Sequence, residues 1–126
     1  MFAEEETAAI VSTIRERDFK SKPEKAKVTG ADLLKGSVYD YGYVKDGKIT
    51  KHEGGADIKY GRFYDELGWE FAAEAHRRQD MIRFGTFTTK SWFQHKPVGD
   101  HTVLFSIPES VRNSNSNLDQ NPGYTN

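Results

Sequence analysis

Residues Glu66–Phe84 read ELGWEFAAEAHRRQDMIRF, and this stretch decides how the rest of the chain is read. With Phe63 just ahead of it, Phe63, Leu67, Phe71 and Ala75 advance by four along one stripe, and Ile82 follows after a break at Arg78. That spacing predicts an α-helix over 63–85. Gly68 inside it costs about 1 kcal/mol relative to alanine, so tertiary packing must hold that turn. Gly85 fits the C-cap position. Glu70, Glu74, Arg77, Arg78, Asp80 and Arg83 lie densely among the apolar residues. Glu74 and Arg78 have the spacing of an intrahelical ion pair with the acid on the favourable N-terminal side, and Asp80 and Arg83 that of another. Glu70 and Arg77 lie two turns apart along the same face. Trp69 and Ala73 flank the charges on one side, Phe71 and Ile82 on another. Such a helix is packed on more than one side, with its charges paired or bonded to backbone carbonyls.

Upstream, Ala9, Ile10, Thr13, Ile14 and Arg17 recur at spacings of three and four, predicting a helix from Ala3 to about Phe19. Glu4, Glu5 and Glu6 lie in its first turn, where the helix dipole favours negative charge. Pro23 ends it, and Lys20–Val28 reads as a solvated, lysine-rich linker. Thr29 and Asp32 form a variant capping box that starts a short helix over Ala31–Lys35. Asp46-Gly47 between Tyr43-Val44-Lys45 and Lys48-Ile49-Thr50 predicts a β-hairpin. Downstream, Thr86–His101 is irregular but aromatic, with Phe87, Trp92 and Phe93. Val103–Ile107 is a short apolar run ending at Pro108, and Asn113–Asn126 is dominated by turn-forming residues. The expected architecture is mainly α with irregular loops and a small β-hairpin. It divides into 1–20 (helix), 21–62 (linker, short helix and hairpin), 63–85 (the charged helix) and 86–126 (irregular closing segment).

Composition narrows the function. The 126 residues suffice for one small domain, but only 36% are hydrophobic against 29% charged, a thin supply for a self-sufficient core. A formal net charge of -1 provides no field to gather nucleic acid or an anionic membrane. The absence of cysteine excludes a disulfide scaffold, a thiolate metal site and a cysteine nucleophile. No apolar run approaches the roughly 20 residues that span a bilayer. The first residues, MFAEEETAAIV, do not read as a signal peptide, so the chain taken alone reads as cytosolic.

The ordered set Glu70, Glu74, Arg77, Asp80 and Arg83, with Trp69 and Phe71 ahead and Phe84-Gly85 behind, resembles the signature helix of the SusD/RagB family of outer-membrane nutrient-binding proteins. Leu104–Glu109 and Asn117–Tyr124 (NLDQNPGY) resemble that family's closing segment, and Ile10–Arg17 the helix preceding the signature. Ala75 and Ser106 stand where the family commonly has glycine and proline, and Gly36–Gly61 is longer and more aromatic than the usual connection. Family proteins are several times longer, with a signal peptide, a lipid-anchoring cysteine and tetratricopeptide-like helices upstream. The resemblance therefore implies a C-terminal portion of that α-helical fold. It further implies a non-catalytic protein at the cell outer membrane, facing outward and tethered by a lipid anchor absent from this chain. Its partners would be an oligosaccharide or other nutrient ligand and a TonB-dependent outer-membrane transporter. No cofactor and no nucleic acid enter.

Glycan capture calls for aromatic platforms flanked by planar hydrogen-bonding groups. Tyr39, Tyr41 and Tyr43 alternate, which puts three rings on one face if the segment is extended, and Trp92 is a further candidate. Against this stands the ordinary use of such rings, covering a neighbouring helix. Glu70, Glu74, Arg77, Arg78, Asp80 and Arg83 read as structural, with Arg77 or Arg78 bonding carbonyls and clamping the closing tail. Three rival readings remain: a carbohydrate-active enzyme using Glu70 and Glu74 as acid and base, a metal site at His76/Asp80 or Asp100/His101, and a protein-interaction fragment exposing Met81, Phe84 and Phe87.

Overall fold

The computed structural model describes residues 2–125; Met1 and Asn126, the outer bounds of the first and last expected segments, lie outside them. Among the described residues, in chain order, are α1 (Phe2–Glu16), α2 (Gly30–Leu33), β1 (Gly42–Lys45), β2 (Lys48–Ile49), α3 (Gly61–Glu70), α4 (Arg77–Arg83), β3 (Trp92–Phe93) and α5 (Glu109–Ser114). Two 3-10 turns, Pro23–Lys25 and Asp100–Val103, complete the set. The fold is mainly helical with a small sheet.

Local chemistry sets the first elements. The capping box forms: Thr29 Oγ1 accepts from the Asp32 amide at 3.1 Å, and the Thr29 amide donates to the Asp32 carboxylate at 3.0 Å. The helix it opens starts and ends earlier than the expected Ala31–Lys35. Ala8 and Val11 of α1 pack on Leu33 of α2, with Val28 and Phe63 against them. The lysine-rich connection is docked rather than free: Ala26 is fully buried, and the Arg15 guanidinium donates to the carbonyls of Lys25 and Ala26.

The hairpin turns on Asp46 and Gly47, both left-handed (φ 51° and 74°), and pairs Val44 with Ile49 and Lys45 with Lys48. β3 adds to the other side of β1 in parallel, placing Gly42 opposite Trp92 and Tyr43 opposite Phe93. A two-residue strand paired across so much chain leaves no local pattern, so the sequence shows this segment only as irregular. α5 likewise falls inside the closing segment expected to be irregular throughout.

The helix expected over 63–85 is two helices. α3 stops at Glu70, Phe71–His76 turns a corner in which Ala73 and Ala75 are left-handed (φ 66° and 62°), and α4 begins at Arg77. Glu74 therefore lies in the corner, outside any helix, and the expected Glu74–Arg78 pair is absent. The end of α4 follows the sequence reading. Gly85 at φ 72° donates to the Ile82 carbonyl and Thr86 to that of Met81, the two bonds of a Schellman motif. The core beneath the corner is Tyr41, Ile58, Tyr64 and Met81, with Phe84, Phe87 and Trp92 packed on it.

The corner has a stability signature. A left-handed alanine costs about 1–2 kcal/mol relative to glycine, less the larger entropy of an unfolded glycine. Ala75→Gly should thus raise the unfolding free energy in urea by about 0.5–1 kcal/mol, and Ala73→Gly by a similar amount. In an unbroken helix both would instead lower it by about 1 kcal/mol.

Candidate functional site

The aromatic residues of 39–43 and 92–93 meet at the small sheet, but they do not present one face. Tyr41 is the correction: its ring is 1% exposed, enclosed with Ile58, Tyr64 and Met81, and no ligand can reach it. Burial pushes its phenol well above the usual range, so the hydroxyl stays neutral and accepts from the Arg77 guanidinium at 3.5 Å. The chain turns between Tyr39 and the strand, which leaves Tyr39 47% exposed and edge-on to Tyr41 at 4.7 Å. Tyr43 is half-buried, with the Lys96 ammonium 4.3 Å from its ring centre. Trp92, also half-buried, stacks on His95 at 3.8 Å and tilts against Phe87.

Phe93 is a further exposed ring of this region. It is 64% exposed, stands opposite Tyr43 in register, and is left-handed at φ 46°. A bulky residue pays strain in that region and needs its surroundings to hold it there. In the sequence Phe93 is one aromatic of an irregular stretch, and its cue is its place beside Trp92.

Carboxylates anchor the backbone that carries these rings. Buried Asp65 accepts from Ser37 Oγ at 2.6 Å and from the Val38 amide at 2.7 Å, and Ser37 Oγ in turn accepts from the Tyr39 amide. Glu53 accepts from the Ser91 amide at 2.7 Å, just ahead of β3, while Lys90 bridges to Asp57 at 2.8 Å.

The charged residues of 70–83 are engaged in holding elements together. Arg77 donates to the Tyr64 carbonyl at 3.0 Å with its guanidinium 3.8 Å above the Tyr64 ring centre. Arg78 donates to the carbonyls of Thr102 and Val103 and lies between the rings of Phe87 and Phe105. Asp80 is buried and pairs with Arg83 at 3.5 Å. Glu70 faces α1 and receives two bonds from Arg17, rather than sharing a face with Arg77. The Glu74 side chain is exposed in the corner. Glu70 and Glu74 thus do not converge as an acid–base pair. Among the described residues no three His, Asp or Glu side chains converge as a metal site, and no helix is long and apolar enough to cross a membrane.

The polar tail is ordered by its amides. Gln120 both accepts from and donates to the backbone of Ile107, Asn121 donates to the Phe105 carbonyl, and Tyr124 to that of Leu104. The NLDQNPGY composition thereby satisfies an extended run, Leu104–Ile107, that has no strand partner.

The chain is 37% identical over 68 residues to the starch-binding protein SusD of Bacteroides thetaiotaomicron. It is similar to SusD. The match covers 48% of this chain and 12% of that protein. No protein-family model matches the chain, and no solved structure matches it significantly.

The Glu53–Ser91 bond carries a pH dependence. The Ser91 amide holds the Glu53 carboxyl below its ordinary value of 4.5. A depressed folded-state pKa stabilises above the unfolded value and loses its contribution as pH falls through the folded one. Glu53→Gln should therefore flatten the decline of stability below pH 4.5 and lower stability at neutral pH, read from urea unfolding across pH 3–7. An acid limb identical to that of the unaltered chain would show that the bond does not hold β3.

Proposed function

We propose that this chain is a non-catalytic, glycan-binding part of a SusD-type nutrient-capture protein. The observation that carries the reading is the 37% identity over 68 residues to a starch-binding protein. The sugar contacts are Tyr39, Tyr43 and Phe93, with Trp92 packed on the core and Tyr41 within it. The support is chemical. Pyranose rings present apolar C–H faces that stack on exposed aromatic side chains, and their hydroxyls need flanking polar groups. Lys96 beside the Tyr43 ring supplies one such group, and Asp40, next to Tyr39 in sequence, pairs with His52. The ligand is a glucan or similar oligosaccharide. The wider setting follows from the family resemblance: the outward face of the outer membrane, with a TonB-dependent transporter as the receiving partner.

Calorimetric titration of the 126-residue chain with maltoheptaose tests it. The triple variant Tyr39→Ala/Tyr43→Ala/Phe93→Ala should lose at least ten-fold in affinity while its Tm stays within a few degrees. Tyr41→Ala, which opens the core at a cost of about 3–5 kcal/mol, should lower Tm by about 10 °C or more. Undiminished binding by the triple variant would remove the sheet as the site, and no binding of starch oligosaccharides by the unaltered chain would remove the function.

A further inference from the structure

The outer face of the small sheet gathers cations around aromatic rings. Side chains alternate along a strand, so Tyr43 and Lys45 of β1 share one face and Gly42 and Val44 the other. In register, Lys48 stands opposite Lys45 and Phe93 opposite Tyr43, while Trp92, opposite Gly42, packs on the core. Tyr43, Lys45, Lys48 and Phe93 therefore belong to the outer face, where both lysines and Phe93 are exposed. Lys96 joins them, also exposed, with its ammonium 4.3 Å from the Tyr43 ring centre.

The neighbouring carboxylates are engaged elsewhere. Glu53 accepts from the Ser91 amide, Asp57 pairs with Lys90, and Asp40 pairs with His52. Among the described residues no carboxylate lies within ion-pair distance of Lys45, Lys48 or Lys96. Even with Asp46 of the turn counted against them, the three lysines leave two positive charges over, on a chain whose net charge is -1. Like charges directly opposite on a strand pair, with Cβ atoms about 4.5–5.5 Å apart, are destabilising. An anion between the two ammonium groups replaces that repulsion with charge-assisted hydrogen bonds.

The same groups discriminate among sugars. A hydroxyl both donates and accepts, whereas an ammonium only donates. A neutral glycan on this face meets donors in surplus and few free acceptors. Carboxylate or sulfate oxygens, which only accept, are the better complement. Tyr43 and Lys45 are roughly 7 Å apart along the strand, so a sugar ring stacked on Tyr43 has the lysines within reach of its substituents.

We propose that Lys45, Lys48 and Lys96 form an anion subsite beside Tyr43 and Phe93, and that the glycan taken there carries carboxylate or sulfate groups. This rests on the reading of the sheet as the sugar site, and narrows its ligand to an acidic oligosaccharide.

Calorimetric titration of the 126-residue chain with maltoheptaose, sulfated maltoheptaose, heptagalacturonate and heptaglutamate tests it. At least one acidic sugar should bind about ten-fold or more tightly than maltoheptaose, the sulfate and uronate arms telling which anion is read. The double variant Lys45→Gln/Lys48→Gln should bring that ratio close to one and, with the repulsion gone, keep Tm unchanged or slightly raised. If the double variant does not fold, Lys48→Gln alone should lower the ratio several-fold. Equal affinity for maltoheptaose and both acidic sugars would overturn the anion subsite and leave the sheet as a neutral sugar site. No binding of any of the three sugars would overturn both. A preference indifferent to the lysine substitutions would overturn the subsite, as would heptaglutamate bound as tightly as the acidic sugars, which reduces the attraction to charge alone.

Discussion

The guanidinium of Arg77 lies 3.8 Å above the ring centre of Tyr64 and donates to the Tyr64 carbonyl, and the α3–α4 corner depends on it. The contact requires the chain to fold back between Glu70 and Arg77. At Gly68 a Cβ would come within 2.7 Å of Arg77 Nη1, so a side chain there would push the guanidinium aside. Tyr64 then stacks on Phe84 at 4.7 Å and shares a hydrogen bond with Thr86, so both ends of α4 are referred to one residue of α3. The magnitudes are instructive. A charge-assisted bond contributes about 1.5–3 kcal/mol and a partly desolvated cation–π contact about 0.5–2 kcal/mol. Two left-handed alanines cost about 2–4 kcal/mol together. These nearly cancel. Burying Tyr64 and Met81, at about 1.5–3 kcal/mol for a large apolar side chain, tips the balance toward the corner.

Most of the dense charges hold elements together, each at its own contact. Arg77 closes the corner, Arg78 holds the backbone of Thr102 and Val103, and Glu70 and Glu66 tie α3 to α1 through Arg17 and Arg15. They organise the surfaces on either side of them: the aromatic sheet, held by Asp65 and Glu53, and the apolar trough between α1 and α3. The proposed sugar contacts fall on the first of these.

Features written in adjacent residues were legible in the sequence. The capping box at Thr29 and Asp32, the Asp46-Gly47 hairpin and the Gly85 cap each depend on a few neighbours and form as read. The corner was not legible, because Ala72-Ala73-Glu74-Ala75 consists of good helix formers, and the Arg77–Tyr64 contact together with burial of Tyr64 and Met81 overrides them. The β1–β3 pairing depends on two residues distant in sequence, so Phe93 gained its place opposite Tyr43 only in three dimensions. The helical stripes were visible, but which side of each helix meets the core was not. The chain buries Ala8, Val11 and Tyr64 and leaves Ile10, Ile14 and Phe71 facing outward. The alternation of Tyr39, Tyr41 and Tyr43 misled for a similar reason: the chain bends before β1, and the middle ring turns into the core.

The central claim is that the charged segment is an architectural corner rather than one continuous helix. Backbone ¹³C chemical shifts and amide–Hα couplings of the 126-residue chain in solution test it most directly. The account predicts helical shifts over Gly61–Glu70 and Arg77–Arg83, interrupted by left-handed values at Ala73 and Ala75. Unbroken helical shifts from Glu66 through Phe84 would contradict it.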